Sequence, residues 1–440
     1  MNLKDKPGFK SKLVALAFGV SCFGSGVGPS SAQLLEELLN QLVVSHPQIL
    51  EATSNTIGAE KGIGEARSGY YPTVTVFGDY GYGVTDTPSR RRTRVGELES
   101  DQVTARILAN QPLFDGFKTW SQVEAATART VVAEMEAESI RQRIVFQGIG
   151  AYLRVLEQNE LLELSRKNEL TIQQQLSLED ERVSRGSGIE LDALFAKSRL
   201  QLAREDRVTL EGSLSQAEND FRKLFALPPL YPEMITPSLP IANLPLTRED
   251  VIQQALEGNQ ILLGSKADVL ASDADRTAAR SDYFPQVSVE AQANYERDVD
   301  GSQGRRDEWT VLLRARWKLF DGFLTPSQAA RADARYGATM ARNTNLSREV
   351  EQFAGDAWDE FQTAKSRVKL LQNAVVIAEE VFAARQKLRT VGKETAINVL
   401  DAESELFSAR IKAVSAEFDT RRAVYRVLLA IGQLTPALIN

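Results

Sequence analysis

Four segments of the chain alternate apolar and polar residues with a period of two. Val74, Val76, Gly78, Tyr80, Tyr82 and Val84 alternate with Thr73, Thr75, Phe77, Asp79, Gly81 and Gly83. Val103, Ala105, Ile107 and Ala109 alternate with Thr104, Arg106, Leu108 and Asn110. Val287, Val289, Ala291, Ala293 and Tyr295 form a third apolar row, and Trp309, Val311, Leu313, Ala315 and Trp317 a fourth. Each predicts a β-strand with one apolar face. The other pattern is helical and very long. Lys118 to Ser184 contains no proline, and Leu324 to Thr390 has only Pro326 near its start. At about 1.5 Å per residue, each would extend roughly 100 Å. The second carries a seam at Leu346, Val350, Phe353, Ala357, Phe361, Ala364, Val368, Leu371, Val375, Ala378 and Phe382, a heptad spacing with one four-residue stutter. Shorter helices over Leu34–Gly69 and Ile189–Ala226 flank the first long one, and stacked end to end they roughly match its length.

The pattern occurs twice. Leu113-Phe114-Asp115-Gly116-Phe117 returns as Leu319-Phe320-Asp321-Gly322-Phe323, a shift of 206 residues (319 − 113). The same shift carries Ala151-Tyr152 onto Ala357-Trp358 and Leu194, Ala196, Ser198 and Leu200 onto Leu400, Ala402, Ser404 and Leu406. Tyr70-Tyr71-Pro72 is answered by Tyr283-Phe284-Pro285. A constant shift predicts two copies of one unit: a first repeat over 33–232, a proline-rich linker over 233–246, and a second repeat over 247–440. In each, a helix leads to a strand pair (72–112 and 285–319) and then to a helical hairpin (118–226 and 324–431). Thr247 with Asp250, and Ser187 with Glu190, predict helix N-caps.

Composition narrows the chemistry. The net charge of −7 argues against nucleic acid, whose phosphates require a basic surface. One cysteine (Cys22) and one histidine (His46) exclude a Cys/His metal cluster and a Cys–His nucleophile pair in the processed chain. Lys4, Lys6, Lys10 and Lys12, the apolar run Leu13–Val20 and the small residues Ser30-Ser31-Ala32 predict an export signal over residues 1–32. Acylation at Cys22 is the alternative fate of that segment. No cofactor is expected, and the helical carboxylates read as solvated faces, so no enzyme is indicated.

Strands with one apolar and one charged face suit a sheet between lipid and water. Trp309 and Trp317, about 27 Å apart along a strand, would mark the two interfaces, with Tyr80, Tyr82 and Tyr295 on the same apolar rows. Four strands cannot close a membrane barrel, for which about eight are needed, and lipid tolerates no open edge. A membrane location therefore implies an oligomer, and three chains would supply twelve strands. Alternation also fits a soluble sheet covering a core. A periplasmic coiled-coil adaptor or scaffold would explain the hairpins without explaining these strands.

The duplicated unit, the Tyr-Tyr-Pro and Tyr-Phe-Pro strand starts and the paired Leu-Phe-Asp-Gly-Phe segments resemble the TolC family of outer-membrane channels. The resemblance covers about Leu34 to Gly432. It implies a mainly α fold with a membrane β part: long helical hairpins in a coiled-coil barrel, and four strands per chain in a trimeric twelve-stranded barrel. It implies a homotrimer in outer-membrane lipid with its helical tunnel in the periplasm. A periplasmic adaptor and an inner-membrane ABC or proton-driven transporter would be the partners. The Leu-Phe-Asp-Gly-Phe form resembles members serving type I secretion more than those serving multidrug efflux.

The family's periplasmic gate maps onto Val391 to Ala402. The resemblance puts Asp401 at one gate aspartate, Asn398 at the other and Arg389 at a gate tyrosine, with Arg389 able to supply a cation to the ring. On its residues alone, Asp401 reads as a solvated charge on a helix face. Gly186, Gly188 and Gly392 suit the reversals at the hairpin tips. The resemblance adds that these tips meet the adaptor, through Arg185, Gly186, Gly188, Val391, Gly392 and Thr395.

Overall fold

The computed structural model describes residues 35–94, 96–231, 234–299 and 303–438. The export signal assigned to residues 1–32, Cys22 included, lies outside them.

Two helices of equal length dominate: α4 over Lys118–Ser184 and α8 over Leu324–Thr390, each 67 residues. Each turns back into a shorter partner, α5 over Glu190–Phe225 and α9 over Ala396–Ala430. The reversals need positive φ, which Gly186 and Gly392 adopt at 73° each. At the first tip the amides of Ser187 and Gly188 return to the Arg182 carbonyl, at 3.0 and 2.9 Å. A side chain on Gly188 would collide with the Val183 backbone. The Ser187–Glu190 capping box does not form. Ile189 is the N-cap, and Ser187 Oγ instead donates to the Arg182 carbonyl at 3.2 Å. At the second tip Thr395 does cap its helix, accepting from Asn398 N at 3.3 Å.

The expected helix over Leu34–Gly69 is two helices, α1 (Leu35–Ser45) and α2 (Pro47–Arg67). Pro47 has no N–H to continue α1 and starts α2, while extended His46 accepts from Gln48 N through Nδ1 at 3.3 Å. The second repeat makes the same joint without proline, between α6 (Arg248–Gly258) and α7 (Gln260–Ala278). There Asn259 Oδ1 accepts from Ile261 N, and Asn259 Nδ2 ties the joint to the Ala430 carbonyl at the end of α9. Thr247 caps α6 through Asp250 N at 3.1 Å.

α4 packs along α5, α2, α7 and α9, and α8 lies mainly against α9, α7 and α6. The core gathers near the middle of the long helices, around Tyr152, Phe221, Leu39, Tyr425 and Leu428. Tyr152 clamps the linker there, its hydroxyl donating to the Ile235 carbonyl and accepting from Ile235 N, both at 2.9 Å. Seam residues Val350, Ala357, Phe361, Ala364 and Ala378 are buried.

The strands are β1 (Thr73–Thr85), β2 (Leu98–Phe114), β3 (Gln286–Arg297) and β4 (Arg305–Arg316). They form one antiparallel sheet in the order β1-β2-β3-β4, so the repeats join through β2 and β3. The first strand loop is less open than its polarity suggests, because Pro88–Thr93 winds into a short helix, α3. β4 ends one residue before Trp317.

Candidate functional site: a two-faced sheet above a charged hairpin tip

Register decides the faces of the sheet. Trp309 pairs with Ala293, Ala293 with Ile107 and Ile107 with Val76. Directly paired residues share a face, so all four apolar rows fall on one side. That side is open, with Trp309 80% and Leu313 72% exposed. A soluble sheet would press such a face against a core; among the described residues these strands pack mainly on one another. The opposite side is a hydrogen-bonded polar surface. Thr104 donates to Asp79 at 3.0 Å, Arg106 to Asn294 at 3.2 Å, and Arg314 pairs with Glu290 at 2.7 Å. β1 and β4 each have only one neighbour, leaving an open edge on both sides.

The aromatic residues divide by level. Tyr80, opposite Val103, Tyr295, opposite Ala105, and Trp309 lie toward the strand loops. Tyr82 joins them, its hydroxyl donating to Glu99 at 2.7 Å. Trp317 sits at the other end, its indole N–H donating to the Tyr283 carbonyl at 3.1 Å. Gln111, 206 residues earlier (317 − 111), makes the equivalent bond to the Tyr70 carbonyl at 3.0 Å. Sequence reasoning missed the phenylalanines at this level. Phe117 stacks edge-to-face on Phe114 at 5.3 Å and on Phe284 at 5.9 Å, and Phe323 on Phe320 at 5.5 Å. Their signal was the repeated motif itself.

That motif converts strand to helix. Gly116 and Phe117 both have positive φ, 71° and 67°, and so do Gly322 and Phe323, at 69° and 67°. A phenylalanine held there is strained, and the preceding aspartate offsets the strain. Asp115 accepts from Thr119 N at 2.7 Å and from its hydroxyl. Asp321 accepts from Leu324 N at 3.0 Å, from Thr325 N at 2.9 Å and from the Thr325 hydroxyl, which holds its carboxyl below the usual range. Each carboxylate also sits at the positive end of a long helix dipole.

At the other end of the helices the charges are tied within the chain. Arg389, in the last turn of α8, reaches Glu179 of α4 at 2.6 Å, Asp192 of α5 at 3.1 Å and the Glu394 carbonyl at 3.0 Å. It therefore does not serve Asp401. The cation at Asp401 is Arg199 of α5, at 2.6 Å. Asn398 donates to Glu394 at 2.5 Å, and this bond is the main reason that the Glu394 carboxyl is held low. Glu179, Asp192 and Arg199 escaped sequence reasoning because no spacing links them to the tip of the other hairpin. Arg185, Gly186, Val391, Gly392 and Thr395 are exposed, Gly188 less so. Among the described residues, no group of three His, Cys, Asp or Glu is placed to hold a metal, and no helix is long and apolar enough to cross a membrane.

The profile of the outer membrane efflux protein family matches residues 38–226 and 251–433, most of both repeats. The chain belongs to the outer membrane efflux protein family. Among relatives of this outer membrane efflux protein, it is 24% identical to the outer membrane efflux protein BepC of Brucella suis, over 92% of this chain and 87% of that one. It is 21% identical to the proteases secretion protein PrtF of Dickeya chrysanthemi, over 87% and 86%. Its fold matches the crystal structure of the outer membrane protein VceC of Vibrio cholerae with a TM-score of 0.79, at 17% identity over 90% of this chain and 96% of that one. The sheet is thus the outer-membrane part of a TolC-like channel, and the helices form its periplasmic tunnel.

Proposed function

We propose that three copies of this chain form the outer-membrane exit duct of a tripartite transport system, receiving substrate from an inner-membrane transporter through a periplasmic adaptor. The observation that carries the reading is the register: all four apolar rows lie on one face, Asp79, Arg106, Glu290 and Arg314 lie on the other, and both sheet edges are free. Pairing β4 of one copy with β1 of the next closes twelve strands with lipid outside and water within.

The duplication supports this closure. Inside the chain, the first Leu-Phe-Asp-Gly-Phe segment rests on Ser281–Phe284, and a Cβ on Gly116 would lie 2.3 Å from the Ser281 carbonyl oxygen. The second such segment has no counterpart among the described residues. Nothing lies within 4 Å of a Cβ on Gly322, and Phe323 is largely exposed. The position equivalent to Ser281, shifted by the 213 residues that separate Tyr70 from Tyr283, is Ser68 (281 − 213), followed by exposed Tyr70 and Tyr71. In the trimer, Ser68 to Tyr71 of the next copy would occupy that place.

The two repeats, 33–232 and 247–440, are the halves of this subunit, with Asp401, Asn398 and Arg389 at its periplasmic gate. Arg185, Gly186, Gly188, Val391, Gly392 and Thr395 offer the adaptor surface. The Leu-Phe-Asp-Gly-Phe form and the likeness to a protein named for protease secretion favour type I secretion. The likeness to BepC keeps solute efflux as the second reading. Detergent-extracted protein should be trimeric and form conducting pores in planar bilayers; a detergent-free soluble monomer would overturn the proposal. Restoring protein export, but not drug resistance, in a channel-deficient host would select secretion.

A further inference from the structure

Glu403 lies on α9 two residues past Asp401, in a buried stripe whose other members are Ala396, Val399, Leu400, Ala402 and Leu406. It is 4% exposed, and neither carboxylate oxygen has a hydrogen-bond partner. The neighbouring charges are engaged elsewhere. On α5, Arg199 pairs with Asp401 and Asp192 with Arg389. On α8, Arg389 is held by Glu179, and Arg385 donates to the Asn398 carbonyl. On α4, Arg182 pairs with Glu179, and on α9 itself Glu405 is solvent-exposed. The equivalent position of the first repeat (403 − 206) is Lys197, exposed and paired with Asp180 at 3.5 Å. The buried carboxylate thus belongs to the second hairpin alone.

A carboxylate with no partner in apolar surroundings is much costlier ionised than protonated. We propose that Glu403 is a proton-binding site that sets the packing of the periplasmic hairpins: protonated, it keeps α9 seated; ionised, it loosens α9 and favours opening. The opening step rests on reading the tips as a gate; the proton site does not. Burial alone pushes this carboxyl from its ordinary 4.5 up to about 7. The seated state therefore keeps its proton across that interval while the loosened state has lost it. Seating is favoured in acid, weakens as pH rises from 4.5 toward 7, and changes no further above that. The ratio of loosened to seated protein should rise up to about a hundredfold over that interval.

The test is amide hydrogen exchange of residues 396–406 in the full-length oligomer, with rates corrected for intrinsic pH dependence, alongside open probability in bilayers. Protection of α9 should fall as pH rises. Glu403→Gln should keep α9 protected throughout and remove the pH dependence. Glu403→Leu should do the same, which guards against a folding defect peculiar to one variant. Wild-type pH dependence in both variants would overturn the proposal. Exchange that behaves as expected in an oligomer that conducts no current would leave the proton site standing and remove the channel reading.

Discussion

Arg389 and Glu179 are 210 residues apart in the chain and 2.6 Å apart in space. Both are mostly buried, and Asp192 completes the cluster from a third helix. One arginine thereby ties α8 to both arms of the first hairpin. Removing it would leave Asp192 without its cation and Glu179 with Arg182 alone.

Arg389→Ala should therefore destabilise the periplasmic end by about 3 kcal/mol, the scale for stripping one partner from a buried pair. Its pore should be more conductive at rest. Arg389→Lys should fall between, because an ammonium cannot reproduce the forked contact. Resting conductance equal to wild type in Arg389→Ala would remove this cluster from the gate.

Asp401 has a different kind of partner. Its bridge to Arg199 is solvent-exposed on both sides, so losing it should cost less than about 1 kcal/mol. A functional effect would then stand out from a structural one. Three copies of Asp401 around an axis would attract multivalent cations. Asp401→Ala should weaken block by divalent cations added from the periplasmic side, and unchanged block would take Asp401 out of the pore.

The two motif glycines separate folding from assembly. Gly116→Ala meets a positive φ and the Ser281 carbonyl, so it should impair folding of the subunit itself. Gly322→Ala meets a positive φ of 69° but open space among the described residues. It should fold with a penalty of about 1 kcal/mol yet fail to trimerise, because the obstructing group belongs to the next copy. Native mass measurements on detergent extracts distinguish the outcomes; normal trimers from Gly322→Ala would refute the matched contact.

Trp309 tests the lipid face. It stands on the open apolar side of β4, and brominated lipids should quench its fluorescence. Trp309→Phe should remove most of that quenching, whereas Trp317, hydrogen-bonded at the sheet's base, should be quenched only by lipids brominated near the headgroup. Quenching that survives Trp309→Phe unchanged would reverse the assigned orientation.

Much of the fold was legible because it is built from local periods. Alternation marked four strands, absence of proline marked two unbroken helices, and glycines at Gly186 and Gly392 marked their turns. The misreadings were also local. Ser187 and Glu190 have the spacing of a capping box, but the amides at the tip are already drawn to the Arg182 carbonyl, and the helix starts at Ile189. His46 before Pro47 reads as a helix start and is one, and Pro47 thereby divides the stretch over Leu34–Gly69 into two helices.

The amino-acid sequence by itself determined the two-fold repetition, the lengths of the elements and the separation of apolar from polar rows, because each depends on residues a few positions apart. Only the tertiary structure decided that Arg389 meets Glu179 and Asp192 while Asp401 meets Arg199, and that Glu403 is left without a partner. Those outcomes depend on how helices from different repeats slide and rotate against one another, and a shift of one residue along α9 would exchange a solvated carboxylate for a buried one.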